Sequence, residues 1–540
     1  MSPSAKMLCT NTDGYAKYFR TLIERPLLAQ DAQLRDILAR NAQCEYGRHY
    51  GFASISSYAE FCERVPIVAY DDLRNSIERM ANGEQSVLVQ EPVIAFEETG
   101  GSSGGRKLVP YTAASLQSFQ RGLLPWLDDL FVENPELAAG SAYWSISPAC
   151  RDLRHAAGGL PIGLSNDAAY FGEDMAQAIF MSLSVPPDVG KIRNLDQWRR
   201  VTLLYLLTDK SLSLISVWSP SFILELLRFA RKNVASLAAC IADGRFEKLD
   251  SADDSLSLSF PLARRSPDPQ RAALVAAVLA DPLPRYERIW PNLRIISCWD
   301  HASSRPYAEE LRRHFPSVLV QGKGLLATEG MTSFPLCDFA MPVLALESGF
   351  YEFVGIDGLV KRAHEVVKNE EYELLLTNHS GFYRYAIGDR VRIDGFAGNT
   401  PTLEFVGRDQ LQSDLCGEKL TEAFVLQVLR KFDLGFSMLV VEAKTKTQAP
   451  PGYVLLVDGQ QISKTDTNEM AKEIDLALGA NPQYSYARRM NQLAPLQLTR
   501  CINPQASWLA LGMRNGQRLG DIKPPALCTR HDWRDHFELE

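Results

Sequence analysis

The chain reads as an α/β protein in two unequal parts, a large α/β N-terminal domain and a small α+β C-terminal one. Three observations support this. The 540 residues exceed the roughly 250–300 at which a single core stops growing. Between Ser211 and Val320, short apolar runs alternate with helical patterns, the order that lays helices against a sheet. Past Gly407-Arg408-Asp409 the order becomes α-β-β-α-β, enough for one domain of about 130 residues. The boundary is drawn so that residues 1–407 form the first domain and 408–540 the second.

Residues 14–45 carry apolar side chains at helical spacing, with Pro26 marking a break between two helices. A further helix is expected around Tyr58–Glu63. Val65–Val68 and Ser86–Gln90 read as short extended pieces, and Val93–Phe96 as a buried strand. Ala113–Leu124 is helical and should end at Pro125, while Gly140–Asn166 is too rich in Gly, Ser and Pro to assign. Ser211–Trp218 mostly alternates polar and apolar residues, as a half-buried strand does, and a helix over Phe222–Ala239 follows.

Asp268-Pro269 opens the next helix, with Asp as N-cap and Pro at the first helical position. Leu293–Ser297 and Val318–Val320 are strands around a helix at Arg305–His314. Tyr372–Thr377 and Thr402–Val406 are strands as well. The C-terminal part offers a helix at Thr421–Phe432, strands at Leu439–Val441 and Tyr453–Val457, a helix between Asp466 and Gly479, and a last strand near Leu496–Thr499.

Composition excludes several classes. Hydrophobic residues make up 46% and charged ones 23%, with a net charge of −8, as in ordinary globular proteins. No Lys/Arg-rich run marks a surface for nucleic acid or an anionic membrane. Ten cysteines are scattered without a CxxC or a Cys/His grouping suited to zinc. Met1–Lys6 lacks an apolar signal core, and no run reaches the roughly 20 apolar residues of a membrane span. The expected compartment is a reducing cytoplasm.

The chemistry concentrates in three segments. The first, Thr99-Gly-Gly-Ser102-Ser103-Gly104-Gly-Arg-Lys107, combines glycines, hydroxyls and a lysine. Glycines let backbone N–H groups approach a polyanion, and the serines and lysine add donors and charge. Lys107 is followed by Leu108, so this is not a Walker A loop. Gly101–Gly105 matches Gly-x-Ser-x-Gly in letters. A nucleophile elbow, however, needs a strand directly before the serine and a helix directly after. Here Glu97–Gly100 intervenes, and Leu108-Val109-Pro110 reads as extended. The second segment holds Glu329, a carboxylate suited to Mg²⁺, which takes oxygen ligands. The third, Gly381–Val391, holds Asp389, suited to ribose hydroxyls. Trp218 and Ser219 occupy a strand–turn–helix joint, a place that lines a pocket or serves only packing and capping.

Thr99–Lys107, Ala327-Thr328-Glu329 and Tyr383-Arg-Tyr385-Ala-Ile-Gly-Asp389, in this order, resemble three nucleotide motifs of the acyl acid–amido synthetases. These enzymes are best known from plants, where they conjugate auxin and jasmonate to amino acids, and they belong to the adenylate-forming superfamily. The resemblance extends to Tyr46–Phe52, Trp218–Ser221, Ile289–Leu293 and Tyr351–Phe353. The Gly/Ser loop departs from the plant pattern by being shorter between its serines and Lys107. The resemblance implies an N-terminal domain that includes a β-barrel and a small mobile C-terminal lid. It also implies ATP and Mg²⁺ as cofactors, and a carboxylic acid and an amino acid as substrates. Thr328 and Tyr385 join the nucleotide residues on this ground. Arg408 resembles the hinge region, and Lys419 and Lys523 are the C-terminal lysines expected to meet phosphates. His301, beside Asp300, is the histidine expected to face the acyl pocket. Transfer to a thiol such as coenzyme A, or nucleotide binding without turnover, are the alternatives. Oligomeric state is not legible in the sequence.

Overall fold

The computed structural model describes residues 14–99, 107–144, 154–163, 173–192, 194–244, 266–408, 412–432, 434–442, 450–462, 467–517 and 519–540. Ser102, Ser103, Gly104, Asp409 and Asp466 lie outside the described residues, as do the side chains of Thr99 and Arg408.

At the N-terminus, Tyr15–Leu22 and Pro26–Arg40 are the two expected helices, with Pro26 in the first turn of the second. Tyr58–Arg64 follows, capped by the Ser57 hydroxyl. A helix at Tyr70–Ala81 adds to the sequence expectation and buries Tyr70, Leu73, Ile77 and Met80. The next helix, Ala113–Glu133, runs through Pro125 instead of ending there. An interior proline costs about 3 kcal/mol. Every residue from Gly122 to Phe131 is buried, and this packing outweighs that cost. Buried carboxylates pin the helix further: Asp128 accepts from the Ala16 amide and Asp129 from the Cys337 amide. The helix expected at Phe222–Ala239 is two, Pro220–Lys232 and Val234–Asp243. Between them, Asn233 leaves the helical region and its side-chain amide donates to the Phe229 carbonyl (2.9 Å), closing the first helix.

Four parallel strands form the centre of the N-terminal region, in the order Ser141–Trp144, Leu212–Ser216, Ile295–Cys298, Leu319–Gly322. All of Leu212–Ser216 is buried, so this is an interior strand covered on both faces instead of a half-buried one. The Asp268 cap and the helix Arg305–His314 form as the sequence predicts.

Ala95–Thr99 and Lys107–Tyr111 are antiparallel, with Thr99 opposite Lys107. The Gly/Ser segment therefore connects the two strands of a hairpin. The first strand includes Glu97–Thr99, beyond the apolar run Val93–Phe96 expected to form it. A strand on both sides of the loop is incompatible with a strand–turn–helix nucleophile elbow.

A seven-stranded sheet runs in the order Ser333–Phe334, Val343–Leu344, Thr400–Arg408, Tyr385–Ala397, Glu371–Thr377, Phe350–Val354, Val360–Arg362. The C-terminal region has a four-stranded sheet ordered Gln497–Cys501, Gly452–Asp458, Ser437–Glu442, Leu527–Cys528. Helices Pro482–Arg489 and Pro504–Arg514, and the strand Leu527–Cys528, extend the expected α-β-β-α-β order. One apolar cluster joins Val217, Trp290 and Tyr307 of the N-terminal region to Phe436, Met438 and Ile522 of the C-terminal one. No described helix is long and apolar enough to cross a membrane.

The N-terminal helices are tied to the seven-stranded sheet by a buried ion pair. Arg384, at φ +48°, meets both oxygens of Glu352 at 3.0–3.2 Å and donates to the carbonyls of Val65 and Cys62. Tyr58 donates to the same carboxylate at 2.8 Å. Removing one member of a buried pair strands the other charge. Glu352→Gln is therefore expected to lower unfolding free energy by about 3–5 kcal/mol in urea titrations; a loss under about 1 kcal/mol would show that the tie is dispensable.

Candidate active site

Thr328 and Glu329 form the two-residue tip of a small hairpin in which Ala327 faces Gly330. Both tip carbonyls are held from outside. Tyr111, at the end of the Gly/Ser hairpin, donates its hydroxyl to the Thr328 carbonyl at 2.7 Å. Asn378, just before the Gly381–Asp389 segment, donates its side-chain amide to the Glu329 carbonyl at 2.6 Å. The Asn378 oxygen in turn accepts from the Ser380 and Phe382 amides. Three segments far apart in sequence thus meet through two hydrogen bonds.

Tyr70, on the helix Tyr70–Ala81, packs against the first of these segments. Lys107 Nζ lies 5.3 Å from its ring centre, and its hydroxyl accepts from the Leu108 amide at 2.8 Å. Burial, with a contribution from the Glu329 carboxylate, pushes the Tyr70 phenol up. Glu329 and Asp389 are both buried, and Asp389 sits directly across the strand pair from Arg408. Tyr385 is fully enclosed, with its ring 4.6 Å from Phe382 and its backbone bridged to Val68. Among the described residues no group of three or more His, Cys, Asp or Glu is suited to a metal ion. A single carboxylate such as Glu329 fits Mg²⁺, which takes one or two carboxylates and completes its shell with phosphate and water oxygens.

A second cluster lies at the ends of the parallel strands. Ser219 is buried, and its hydroxyl meets that of Ser221 at 2.6 Å. Trp218 packs on Trp299 with ring centres 5.8 Å apart. His301 contacts Asp300 at 2.8 Å, and Arg312 reaches the same carboxylate at 3.1 Å. Burial raises the Asp300 pKa, but His301 and Arg312 outweigh it and hold the carboxyl below its ordinary value. A Cβ on Gly322 would lie 2.2 Å from Asp300 Oδ1, so any larger residue there would displace that carboxylate. Lys523, from the C-terminal region, places Nζ 5.0 Å from the Trp299 ring and 5.7 Å from that of Phe405. Lys419, by contrast, is exposed at φ +46°. The structure thus brings Lys523, and not Lys419, against the N-terminal region.

The residue that sequence reasoning misses is Lys323. It is 9% exposed, with Nζ 2.7 Å from Ser216 Oγ and 5.0, 6.0 and 5.2 Å from the rings of Trp126, Trp144 and Trp218. No carboxylate among the described residues pairs with it, and burial pushes its pKa down to about 7. Desolvated cation–π contacts contribute about 2 kcal/mol each at best, which does not restore full hydration. Only the Gln321-Gly322-Lys323-Gly324 run after a strand hinted at it.

One constellation imitates a catalytic triad. His379 joins Asp36 Oδ2 at 3.0 Å through Nε2 and Ser118 Oγ at 2.9 Å through Nδ1. Ser118 is 5% exposed inside the helix Ala113–Glu133, where backbone amides are committed to helical bonds and provide no oxyanion hole. Thr112 Oγ1 donates to the His379 carbonyl at 3.3 Å, so the cluster positions the loop that carries Asn378.

Family models match almost the whole described chain. Residues 15–320 match the GH3 family N-terminal domain, 342–408 the central domain and 425–532 the C-terminal domain. The chain belongs to the GH3 family. Among its relatives is the indole-3-acetic acid-amido synthetase GH3.8 of Oryza sativa subsp. indica, 25% identical over 93% of this chain and 88% of that protein. Another is the jasmonoyl–L-amino acid synthetase JAR6 of Nicotiana attenuata, 23% identical over 87% and 85%. The GH3.15 acyl acid amido synthetase, solved in complex with 2,4-DB, has the same fold, with a TM-score of 0.82, 21% identity and 98% of both chains covered. A 2-hydroxyisobutyryl-CoA ligase in its postadenylation state aligns with a TM-score of 0.50, at 11% identity over 86% and 84%.

The buried lysine of this GH3 protein makes its stability depend on pH. The unfolded chain keeps the lysine proton up to about pH 10.4, whereas the folded chain releases it near pH 7. In that window the unfolded state holds more protons, so stability rises with pH. The ionisable neighbour that faces Lys323 most closely is Cys298, on the adjacent strand. Lys323→Met is expected to raise Tm most below pH 7 and to lose that advantage towards pH 10.4. A shift in Tm that does not vary with pH would show that Lys323 is not desolvated.

Proposed function

We propose that this chain is an ATP-dependent acyl acid–amido synthetase, which activates a carboxylic acid as its adenylate and joins it to an amino acid. The observation that carries the reading is the convergence of Lys107, Glu329 and the Asp389/Arg408 pair through the Tyr111 and Asn378 hydrogen bonds. The amido-synthetase relatives across the GH3 family support the reaction class. We place the protein in the cytoplasm and its domain boundary between residues 407 and 408, at the end of the strand Thr400–Arg408.

In the first half-reaction a carboxylate oxygen attacks the α-phosphorus, and the bond to pyrophosphate breaks. Lys107, with the Thr99, Ser102, Ser103 and Gly104 loop, holds the phosphates and offsets the repulsion between anions. Asp389 accepts from the ribose hydroxyls, and Thr328 and Tyr385 border the nucleotide. Glu329 would hold Mg²⁺, which when bound neutralises phosphate charge. In the second, the amine nitrogen attacks the acyl carbon, the bond to AMP breaks and the amine loses a proton. Trp218, Ser219 and His301 border the acyl group, and Lys523 closes over it from the C-terminal side, excluding water from the adenylate.

Acid-dependent pyrophosphate release, followed by mass spectrometry of the product, tests the reading. Lys107→Ala is expected to slow release by about 10²–10³-fold with the fold intact. Glu329→Gln should raise the Mg²⁺ requirement with little change in stability. Parent-like rates in both variants would remove these residues from the site. A thioester formed with coenzyme A, in place of an amide, would reassign the acceptor.

The two C-terminal lysines separate in single-turnover assays. Lys523→Ala is expected to slow adenylate formation by about 10²-fold or more, while Lys419→Ala leaves that step within about twofold. Equal losses would show that the contact of Lys523 with Trp299 is not the productive arrangement.

A further inference from the structure

Lys323, Trp218, Trp299 and Lys523 form a ladder in which each member touches the next: 5.2 Å from Lys323 to Trp218, 5.8 Å between the indoles, and 5.0 Å from Trp299 to Lys523. Its two ends differ. Lys523 comes from the C-terminal region and, on the amido-synthetase reading, stands where the acid is activated. Lys323 is at the buried end, just past the edge strand of the parallel sheet and 5.0 and 6.0 Å from the rings of Trp126 and Trp144. Its ammonium has three donors, of which Ser216 takes one. The Trp126 indole N–H is committed to Gln321 at 3.0 Å, which fixes that wall of the cage. A buried lysine without a carboxylate partner is stabilised when an anionic oxygen arrives, and flat indole faces accept a planar or extended apolar body.

We propose that this cage is the distal end of the acyl pocket, and that Lys323 selects acyl acids carrying a second carboxylate at the end remote from the one that reacts. This deepens the amido-synthetase reading and rests on it. The lysine is a specificity determinant: it bonds the non-reacting end and takes no part in adenylation. Burial that pushes Lys323 towards pKa 7 adds to the argument, because an incoming carboxylate would restore the charged form and draw a proton from solvent.

The test uses the full-length protein and two matched pairs of acids, hexanoate with adipate and phenylacetate with 4-carboxyphenylacetate. Affinity is read by calorimetric titration without ATP, and turnover by pyrophosphate release. The parent should bind the dicarboxylate of at least one pair about tenfold more tightly than its partner. It should also take up protons on binding, seen as a dependence of the heat on buffer. Lys323→Met should abolish the preference, and Lys323→Gln, which keeps a donor, should retain part of it. No preference in the parent overturns the proposal. So does an equal loss of both pair members in either variant, because Lys323 would then meet the reacting carboxylate or only support the fold. Release with these acids but no preference sinks this proposal and leaves the activity standing. Preferential binding without release, by contrast, sinks the activity reading and leaves the site.

Discussion

The hydrogen bonds that Tyr111 and Asn378 make to the Thr328 and Glu329 carbonyls are the constraint on which the site depends. A two-residue hairpin tip has little rigidity of its own. Here each carbonyl is fixed by a different neighbour, so the carboxylate of Glu329 is aimed by backbone bonds outside its own hairpin. Tyr111 is itself completely buried and continuous with the strand that begins at Lys107. Any displacement of the Gly/Ser hairpin is therefore felt at Glu329, and any displacement of Glu329 at the segment leading to Asp389. Preorganisation of this kind lets charged groups act without reorganising during the reaction.

The same economy explains the buried Arg384–Glu352 pair. Arg384 adopts a left-handed backbone, uncommon for a bulky residue, and its amide donates to Thr377 Oγ1 at 2.8 Å while Val68 donates to its carbonyl. Its side chain then reaches the helix Tyr58–Arg64 through the Cys62 carbonyl and the Glu352 carboxylate. Tyr383 and Arg384 are thus structural: Tyr383 donates to the Leu88 carbonyl and Arg384 binds Glu352. Tyr385 and Asp389 are the residues of that segment proposed above to meet the nucleotide.

What the sequence discloses follows from where the physical signal is local. Pro26, the Asp268 cap and the helix Arg305–His314 are legible because the residues that form them adjoin one another. The three segments proposed to hold the nucleotide stand out by composition, though their contacts do not, because Tyr111 and Thr328 are 217 residues apart. Pro125 misleads because a local rule is overridden by burial on all sides of its helix. The helix Tyr70–Ala81 did carry a pattern, apolar at 70, 73, 77 and 80, within a very polar stretch. Lys323 had almost none. Its significance comes from three tryptophans contributed by a helix, a strand end and a loop, and no spacing in the chain encodes that meeting.

The apolar cluster shared by the two regions bears on how the C-terminal region would close over the site, as proposed above. Phe436, Met438 and Ile522 bury side chains in common with Val217, Trp290 and Tyr307, and Arg228 donates to Gln505 at 2.9 Å across the same contact. Swinging such a face into water would expose apolar surface at about 25 cal/mol per Å², so a freely flapping lid is disfavoured. A rotation that trades one docked arrangement for another avoids that cost, and interfaces of this kind are bistable. Cation–π contacts of Lys523 with Trp299 and Phe405 suit such an exchange. They contribute about 0.5–2 kcal/mol, enough to favour one docked state and weak enough to yield to a phosphate oxyanion. The strand Thr400–Arg408 stays paired with Tyr385–Ala397 up to Asp389 and Arg408, and a Cβ on Gly407 would come within 3.0 Å of Ala423. Rotation about the chain after Arg408 would leave Asp389 and its strand pair undisturbed, and would change only which C-terminal surface faces them.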